Sequence, residues 1–454
     1  MSDDLNTRME KKYEIKLNTF SDIVTEPQLS MIFPKTQENI IDNKLTMLSL
    51  FSGCGGMDIG FEGNFICNKK SIPVNSPWIQ KFVNDNWVLL KENRFKTVFA
   101  NDILKEAKST WLQYMKRFNV QPEIYHSDSI VDLVKLHKSG IPIFPENVDI
   151  VTGGFPCQDF SVAGKRKGFN SSMSHDGEKR INNEPSEETR GKLYYWMKQV
   201  IDIVKPKIFI AENVKGLVSL GDVKNIIQKD FASADGNDYI VLPPQVLDAG
   251  NYGVPETRER VIFIGIRKSA LNEKAKKMLS AQKIADEYNP YPKPTHRHSV
   301  VDDSLLPPVT CRDVFSDLKE PEKSLDLSQC FYSQAKFMGK HCQGQSEINL
   351  DGLGPTIRSE HHGNIEYRRL SKANGGKNED ELRQNLKERR LTPRECALIQ
   401  TFPPDYPFVF YKDYSQNFAV SPSGAYKVIG NAVPPILAYN IANRIQDLWS
   451  LYFE

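Results

Sequence analysis

The sequence predicts an α/β protein: a doubly wound, mostly parallel sheet with a second, smaller and irregular domain. Three observations predict it. Short apolar runs recur with helical patterns between them, a glycine-rich turn joins the first run to a helix, and the alternation stops near Arg267. Strands that alternate with helices form parallel sheets, because parallel neighbours need a long crossover.

Residues 1–44 are polar and aperiodic, an extension expected to have little core of its own. "KLTMLSL" (Lys44 to Leu50) reads as a buried strand and runs into "FSGCGGMDIGFEG", a turn that opens a helix. Further strands are expected at "TVFA" (97–100), "VDIV" (148–151), "KIFIA" (207–211), "YIVL" (239–242) and "VIFIGI" (261–266). "KEAKSTWLQYMKRF" and "KLYYWMKQVIDIV" read as helices between them. In the second, Leu193, Trp196, Met197, Val200, Ile201 and Val204 share one face. From about 268 to 389 no βαβ repeat is visible, and charged, proline-rich and basic stretches follow one another. The chain closes with "AYKVIGNAVPPILAYNIANRIQDLW", an amphipathic helix opening after two prolines, which a helix start tolerates. The expected division is an extension (1–44), an α/β domain (45–267), a small domain (268–425) and a C-terminal helix returning to the first (426–454).

The whole chain narrows the function. At 454 residues it has room for two or three domains, and its 39% hydrophobic and 26% charged content is that of a globular protein. With Lys plus Arg at 59 and Asp plus Glu at 57, no global basic field exists, so any polyanion site must be local. The start lacks an apolar signal core and no run approaches membrane-spanning length, so a cytoplasmic protein with no membrane partner is expected. Seven cysteines without a CxxC pair read as reduced thiols. His296 and His298 in "THRHS" have no further ligands at useful spacing; a surface loop is expected, and no metal.

Two motifs carry chemistry. Gly53, Gly55, Gly56 and Gly60 stand between a strand and a helix, where backbone can approach a ligand closely and a helix N-terminus favours negative charge. Such a loop serves a dinucleotide, a nucleoside or nothing. Asp102 in "VFAND" is placed to bind ribose hydroxyls, although it lies further from the glycines than the usual ~20 residues, so an insertion at about 64–95 is expected. The absence of G-x-G-x-x-G counts against a nicotinamide cofactor. The second motif is "VDIVTGGFPCQDFS" (148–161). A lone cysteine is usually a buried hydrophobe. Here Pro156 cannot continue a central strand, so Cys157 falls in a loop at the carboxyl end of one, where open α/β sheets bind ligands.

In order, strand–"FSGCGG"–helix, "ND", "GGFPCQDFS", "ENV" (212–214), "ETRERV" and "VIGNAVPP" resemble the DNA (cytosine-5) methyltransferases, in particular the bacterial restriction-modification type. The resemblance covers about 46–267 and 390–445. It implies a Rossmann-like methyltransferase fold, S-adenosylmethionine as cofactor, double-stranded DNA as partner, and a target-recognition domain in the intervening 268–389. It implies Cys157 as the nucleophile toward C6 of cytosine, Glu212 as the carboxyl at N3 and the exocyclic amine, and Arg258 and Arg260 as holding the base and catalytic loop. Phe51, Gly53 and Gly56 match the methionine-side loop, Asp102 with Ile103 the ribose ligand, and Asp128 with Ser129 the adenine side. Pro156, Leu193, Asn431 and Ala432 match further lining positions. Gln158 and Ser161 match the loop that closes over DNA; the basic trio Lys165, Arg166 and Lys167 beyond it reads either as a grip on phosphates, the favoured reading, or as a solvated charge run. Read from its residues, "SEHHGNIEYRR" (359–369), with Asn364, Arg368 and Arg369, is either a reader of base edges or phosphates or an ordinary strand and turn of the small domain. Ser49, Asp102 and Glu256 depart from the commoner aspartate, glutamate and glutamine.

The residues support that chemistry independently. C5 of cytosine becomes nucleophilic once a thiolate adds across C5–C6, which needs a reactive cysteine and a proton donor at N3. A buried carboxyl with a raised pKa supplies the latter. The base must be flipped from the duplex to reach it. A tRNA methyltransferase of the same fold is the main alternative; its Cys-Phe-Thr tripeptide is missing and its recognition region is short. An inactive binding module is disfavoured by the intact set of Cys157, Glu212 and Arg260. A monomer is expected, with a cognate restriction endonuclease that does not bind it.

Overall fold

Leu45–Leu50 (β1) is buried along almost its whole length, as a strand covered on both faces must be. The computed structural model describes residues 44–156, 193–339, 341–359 and 365–454. Along them the strands are β2 (Ile66–Asn68), β3 (Ile79–Phe82), β4 (Trp87–Leu90), β5 (Phe95–Asn101), β6 (Tyr125–His126), β7 (Ile150–Gly154), β8 (Ile208–Val214), β9 (Tyr239–Val241), β10 (Gln245–Asp248) and β11 (Glu259–Arg267). The central sheet has the order β10-β11-β8-β7-β1-β5-β6, with β9 also on β11. Strands β6, β5, β1, β7 and β8 are parallel; β11 runs antiparallel to β8. The run "VIFIGI" is therefore a reversed strand, not another parallel one.

The chain moves outward from β1 to β5 and β6, then returns to β7 on the other flank of β1. That reversal opens a crevice at the carboxyl ends of β1 and β7. Helices α1 (Gly56–Glu62), α2 (Lys105–Met115), α3 (Ile130–Lys138), α4 (Leu193–Val204) and α5 (Val223–Ala232) fill the crossovers among the described residues. Ile130, Val134, Met197, Val200, Ile201 and Phe231 of α3, α4 and α5 close over Val151, Phe209 and Phe263 in one apolar core. On the opposite side, after helix α6 (Pro422–Asn431), the C-terminal helix α7 (Pro435–Phe453) packs against α1. The approach is close: a Cβ on Gly60 would lie 2.4 Å from that of Ala438.

Strand β7 differs from its expected form. It does not stop at the glycines but carries through Gly153 and Gly154. Both are needed for close approach. A Cβ on Gly153 would meet the Met197 side chain at 3.0 Å, and one on Gly154 would meet a carboxylate oxygen of Glu212 at 2.8 Å.

The expected insertion is a small antiparallel sheet, β2-β4-β3. It is fastened to the 268–425 segment by Trp87 Nε1 donating to Asp317 (2.6 Å) and by Lys70 paired with Asp313 (2.7 Å). His296, expected on a surface loop, is fully buried and its ring meets the Lys70 carbonyl at 2.8 Å. Within that segment Tyr367–Arg369 pairs with Arg389–Arg390 as a short two-stranded sheet. Residues 391–409 pass beneath the glycine loop, where the Tyr406 hydroxyl donates to the Cys54 carbonyl at 2.6 Å.

One buried carboxylate ties β1, α1 and α2 together. Asp58, wholly inaccessible, accepts from Ser49 Oγ (2.6 Å) and Trp111 Nε1 (2.7 Å). Burial pushes its carboxyl up to about 6, against the pull of both donors. A raised carboxyl contributes stability that is full below its unfolded pKa and lost as pH climbs through the folded one. Wild type should therefore lose on the order of 2 kcal/mol relative to Asp58→Asn between about pH 4.5 and 7.5. Urea unfolding at both pH values measures it; parallel curves for the two proteins would place the Asp58 pKa elsewhere.

Candidate active site

The crevice at the carboxyl ends of β1 and β7 deepens into a cavity of about 350 Å³. That is within the roughly 300–1,000 Å³ typical of ligand clefts. Its floor is the turn after β1. Phe51 and Gly53 both take positive φ there, 52° and 56°, and space around Gly53 is open where a side chain would point. Gly56 is required by packing, since a Cβ would lie 2.1 Å from the Val433 carbonyl. Asp102, at the end of β5, accepts from the amides of Gly53 (3.1 Å) and Leu104 (2.9 Å). Desolvation nonetheless pushes its carboxyl up to about 6.

Glu212 enters from the end of β8. The antiparallel register sets Arg260 beside it, and Arg260 Nε lies 2.8 Å from Glu212 Oε1. Burial raises the Glu212 carboxyl; Arg260 and Arg258 oppose that without reversing it. The next residue, Asn213, turns its side-chain amide to the Phe155 carbonyl at 2.9 Å. Asn213 thereby holds the main chain immediately ahead of Pro156, a role that only its adjacency to Glu212 in "ENV" could have signalled. Phe51, Gly53, Gly56, Asp102, Ile103, Ser129, Pro156, Leu193, Glu212, Arg260, Asn431 and Ala432 all line this one cavity.

Other expected residues fall elsewhere. Asp128 is exposed and is not in the lining, although its carbonyl accepts from Asn101 at 2.8 Å. Cys157, Gln158, Ser161, Lys165, Arg166 and Asn364 lie outside the described residues. Arg368 is a correction: its guanidinium pairs with Glu381 at 2.6 Å and stacks over Phe315, so it is engaged inside the small sheet. Arg369 is likewise committed, to Glu320 and Glu381. The two arginines serve an ordinary strand, as a buried charge requires partners. Sequence reasoning also missed Thr152 and Lys427, which line the cavity.

Arg258 is a second correction. It does not line the cavity; it is 1% exposed and reaches the carbonyls of Ile357 (3.0 Å), Gly430 (3.0 Å) and Ala432 (2.7 Å). Glu256 beside it accepts from the Ile357 amide at 2.7 Å. Arg258 is thus a positioning residue. Arg258→Met would strip three buried carbonyls of their donor and leave Glu256 without its cation, costing roughly 3–5 kcal/mol in urea unfolding. Unchanged stability with collapsed turnover would instead put Arg258 on the substrate.

The family model for C-5 cytosine-specific DNA methylase matches residues 45–447, nearly the whole described chain. The type II methyltransferase M.BsuRI of Bacillus subtilis is 30% identical over 422 residues, 90% of this chain and 81% of that protein. M.BspRI of Lysinibacillus sphaericus is 29% identical over 427 residues, 91% and 84% of the two chains. Among solved structures, a methyltransferase of Entamoeba histolytica aligns with a TM-score of 0.50 at 14% identity, covering 90% of this chain and 99% of that one, a likeness of fold alone. With its glycine loop, buried Glu212–Arg260 pair and Pro156 around one cleft, and with this match across its length, the chain belongs to the C-5 cytosine-specific DNA methylases.

Proposed function

We propose that this chain is the modification enzyme of a type II restriction-modification pair, methylating C5 of a flipped cytosine within a specific duplex sequence through Cys157. The observation that carries the reading is that Asp102, Glu212 and Pro156, the residue before Cys157, line one cavity. The lining suits S-adenosylmethionine. A partly exposed carboxylate faces sugar hydroxyls, an open left-handed glycine lets backbone approach, and a lysine stands by for the charged tail.

The chain's own groups divide the work. Cys157 thiolate forms a bond to C6, and the electron pair moves toward N3. Glu212, whose carboxyl burial shifts toward the neutral acid, donates there. Arg260 holds Glu212 in place at 2.8 Å. S-adenosylmethionine, when bound, supplies the methyl group that C5 receives. Loss of the C5 proton then allows the Cys157–C6 bond to break and frees the enzyme. Gln158 and Ser161 close over the DNA while Lys165 and Arg166 meet phosphates, contacts that position without reading sequence. Residues 268–425 form the domain that chooses the target word, and the protein acts as a cytoplasmic monomer.

Bisulfite mapping of DNA from cells expressing the protein tests the activity and reveals the word; unmodified cytosines throughout would sink the reading. Cys157→Ser should abolish transfer while DNA still binds, and DNA carrying 5-fluorocytosine should trap wild type in a complex that survives denaturation, because no C5 proton can leave. Wild-type rates from the serine variant would reject Cys157 as nucleophile. Asp102→Ala should weaken donor binding by about 1–3 kcal/mol in calorimetry. Equal affinity for both proteins would remove Asp102 from the ribose.

A further inference from the structure

Among the described residues, the ionisable side chains lining the cleft are Asp102, Glu212, Arg260 and Lys427. Glu212 and Arg260 satisfy each other, and Asp102 accepts two backbone amides. Lys427 is different. Half-buried on α6, it makes no hydrogen bond or ion pair with any described residue, and its electrostatic influence falls on Asp102, whose charged form it favours. It stands four residues before Asn431, so both share a helix face and both open into the cleft.

The loop beneath has spent much of its capacity to bind an anion. The Ser52 amide donates to the Asn101 carbonyl (2.8 Å), that of Gly53 to Asp102 (3.1 Å), and that of Gly55 to the Ser52 carbonyl (2.9 Å). A carboxylate brought into a half-enclosed cleft needs compensation for its lost hydration. An unpaired ammonium at the wall supplies it through a charge-assisted hydrogen bond, roughly twice as strong as a neutral one.

We propose that Lys427 binds the α-carboxylate of the methyl donor's amino-acid tail. The assignment rests on the donor reading above. It gives a hydrogen-bonding partner to a cation that has none among the described residues and that acts only through space on Asp102.

Calorimetry with three probes tests it: S-adenosylmethionine, S-adenosylhomocysteine and 5′-methylthioadenosine, which keeps the nucleoside and thioether but lacks the tail. Lys427→Met should raise Kd for the first two about tenfold or more and leave the third within about twofold. Lys427→Arg should restore most of the loss. If the Met variant does not fold, Lys427→Gln, which keeps polarity and drops the charge, replaces it with the same expectation. Equal weakening toward all three probes would place Lys427 at the nucleoside through Asp102, and no weakening toward any would leave it outside the site; either result overturns the assignment alone. Wild-type protein that binds none of the three overturns the donor reading and this assignment with it.

Discussion

The geometry of the cleft depends on one guanidinium. Arg258 draws together three carbonyls that lie 99, 172 and 174 residues away along the chain. That joint ties the turn carrying Asn431 and Ala432 to the chain leading into β11, the strand that sets Arg260 beside Glu212. Neutral donors could not do the same work as economically, because a planar fork with five N–H groups reaches several acceptors at once. The glutamate at position 256 fits this joint. It sits fully buried next to the guanidinium and accepts from the Ile357 amide.

Small residues do the complementary task of letting elements approach. Glu212 can lie against β7 only because position 154 has no side chain, and α1 can lie against α7 only because position 60 has none. A strand interior is ordinarily weakened by glycine. Here the cost is accepted at the place where a carboxylate must sit beside the loop leading to the cysteine. The same pattern recurs at Gly56, whose missing Cβ admits the Val433 carbonyl just after the cleft-lining turn.

These constraints explain which parts of the molecule could be read in advance. The apolar runs at β1, β5, β8 and β11 announced their strands because both faces are covered, and buried strands leave continuous hydrophobic text. The reversed direction of β11 left no such trace, since direction is a property of pairing and not of composition. Gly153 and Gly154 read as a stop because glycine usually marks one; only the packing of Met197 and Glu212 shows them as strand residues. Asp102, Glu212 and Arg260 were legible as motif members and do meet in one cavity. Arg258 and Arg368 were misjudged for a common reason. An arginine's partners come from distant sequence, so a buried structural guanidinium and a DNA-facing one look identical in one dimension. Lys427 was overlooked because nothing beside it in "GAYKVIGN" distinguishes a cleft lysine from a solvated one.

The same asymmetry bears on how Glu212 is tuned. Two opposed influences act on its carboxyl: burial favours the neutral acid and Arg260 the charged one, with burial the stronger. In an open cleft, water weakens both. On the proposed reading, a flipped base seals the cleft and removes that water, which increases the desolvation already dominant at this group. The base also presents N3, an acceptor that the neutral acid can satisfy and the carboxylate cannot. Entry of the substrate therefore pushes the carboxyl further toward the protonated state that the addition of Cys157 requires. The antiparallel register of β8 and β11 is what makes this possible, because it holds Arg260 close enough to orient Glu212 while leaving burial to set its proton.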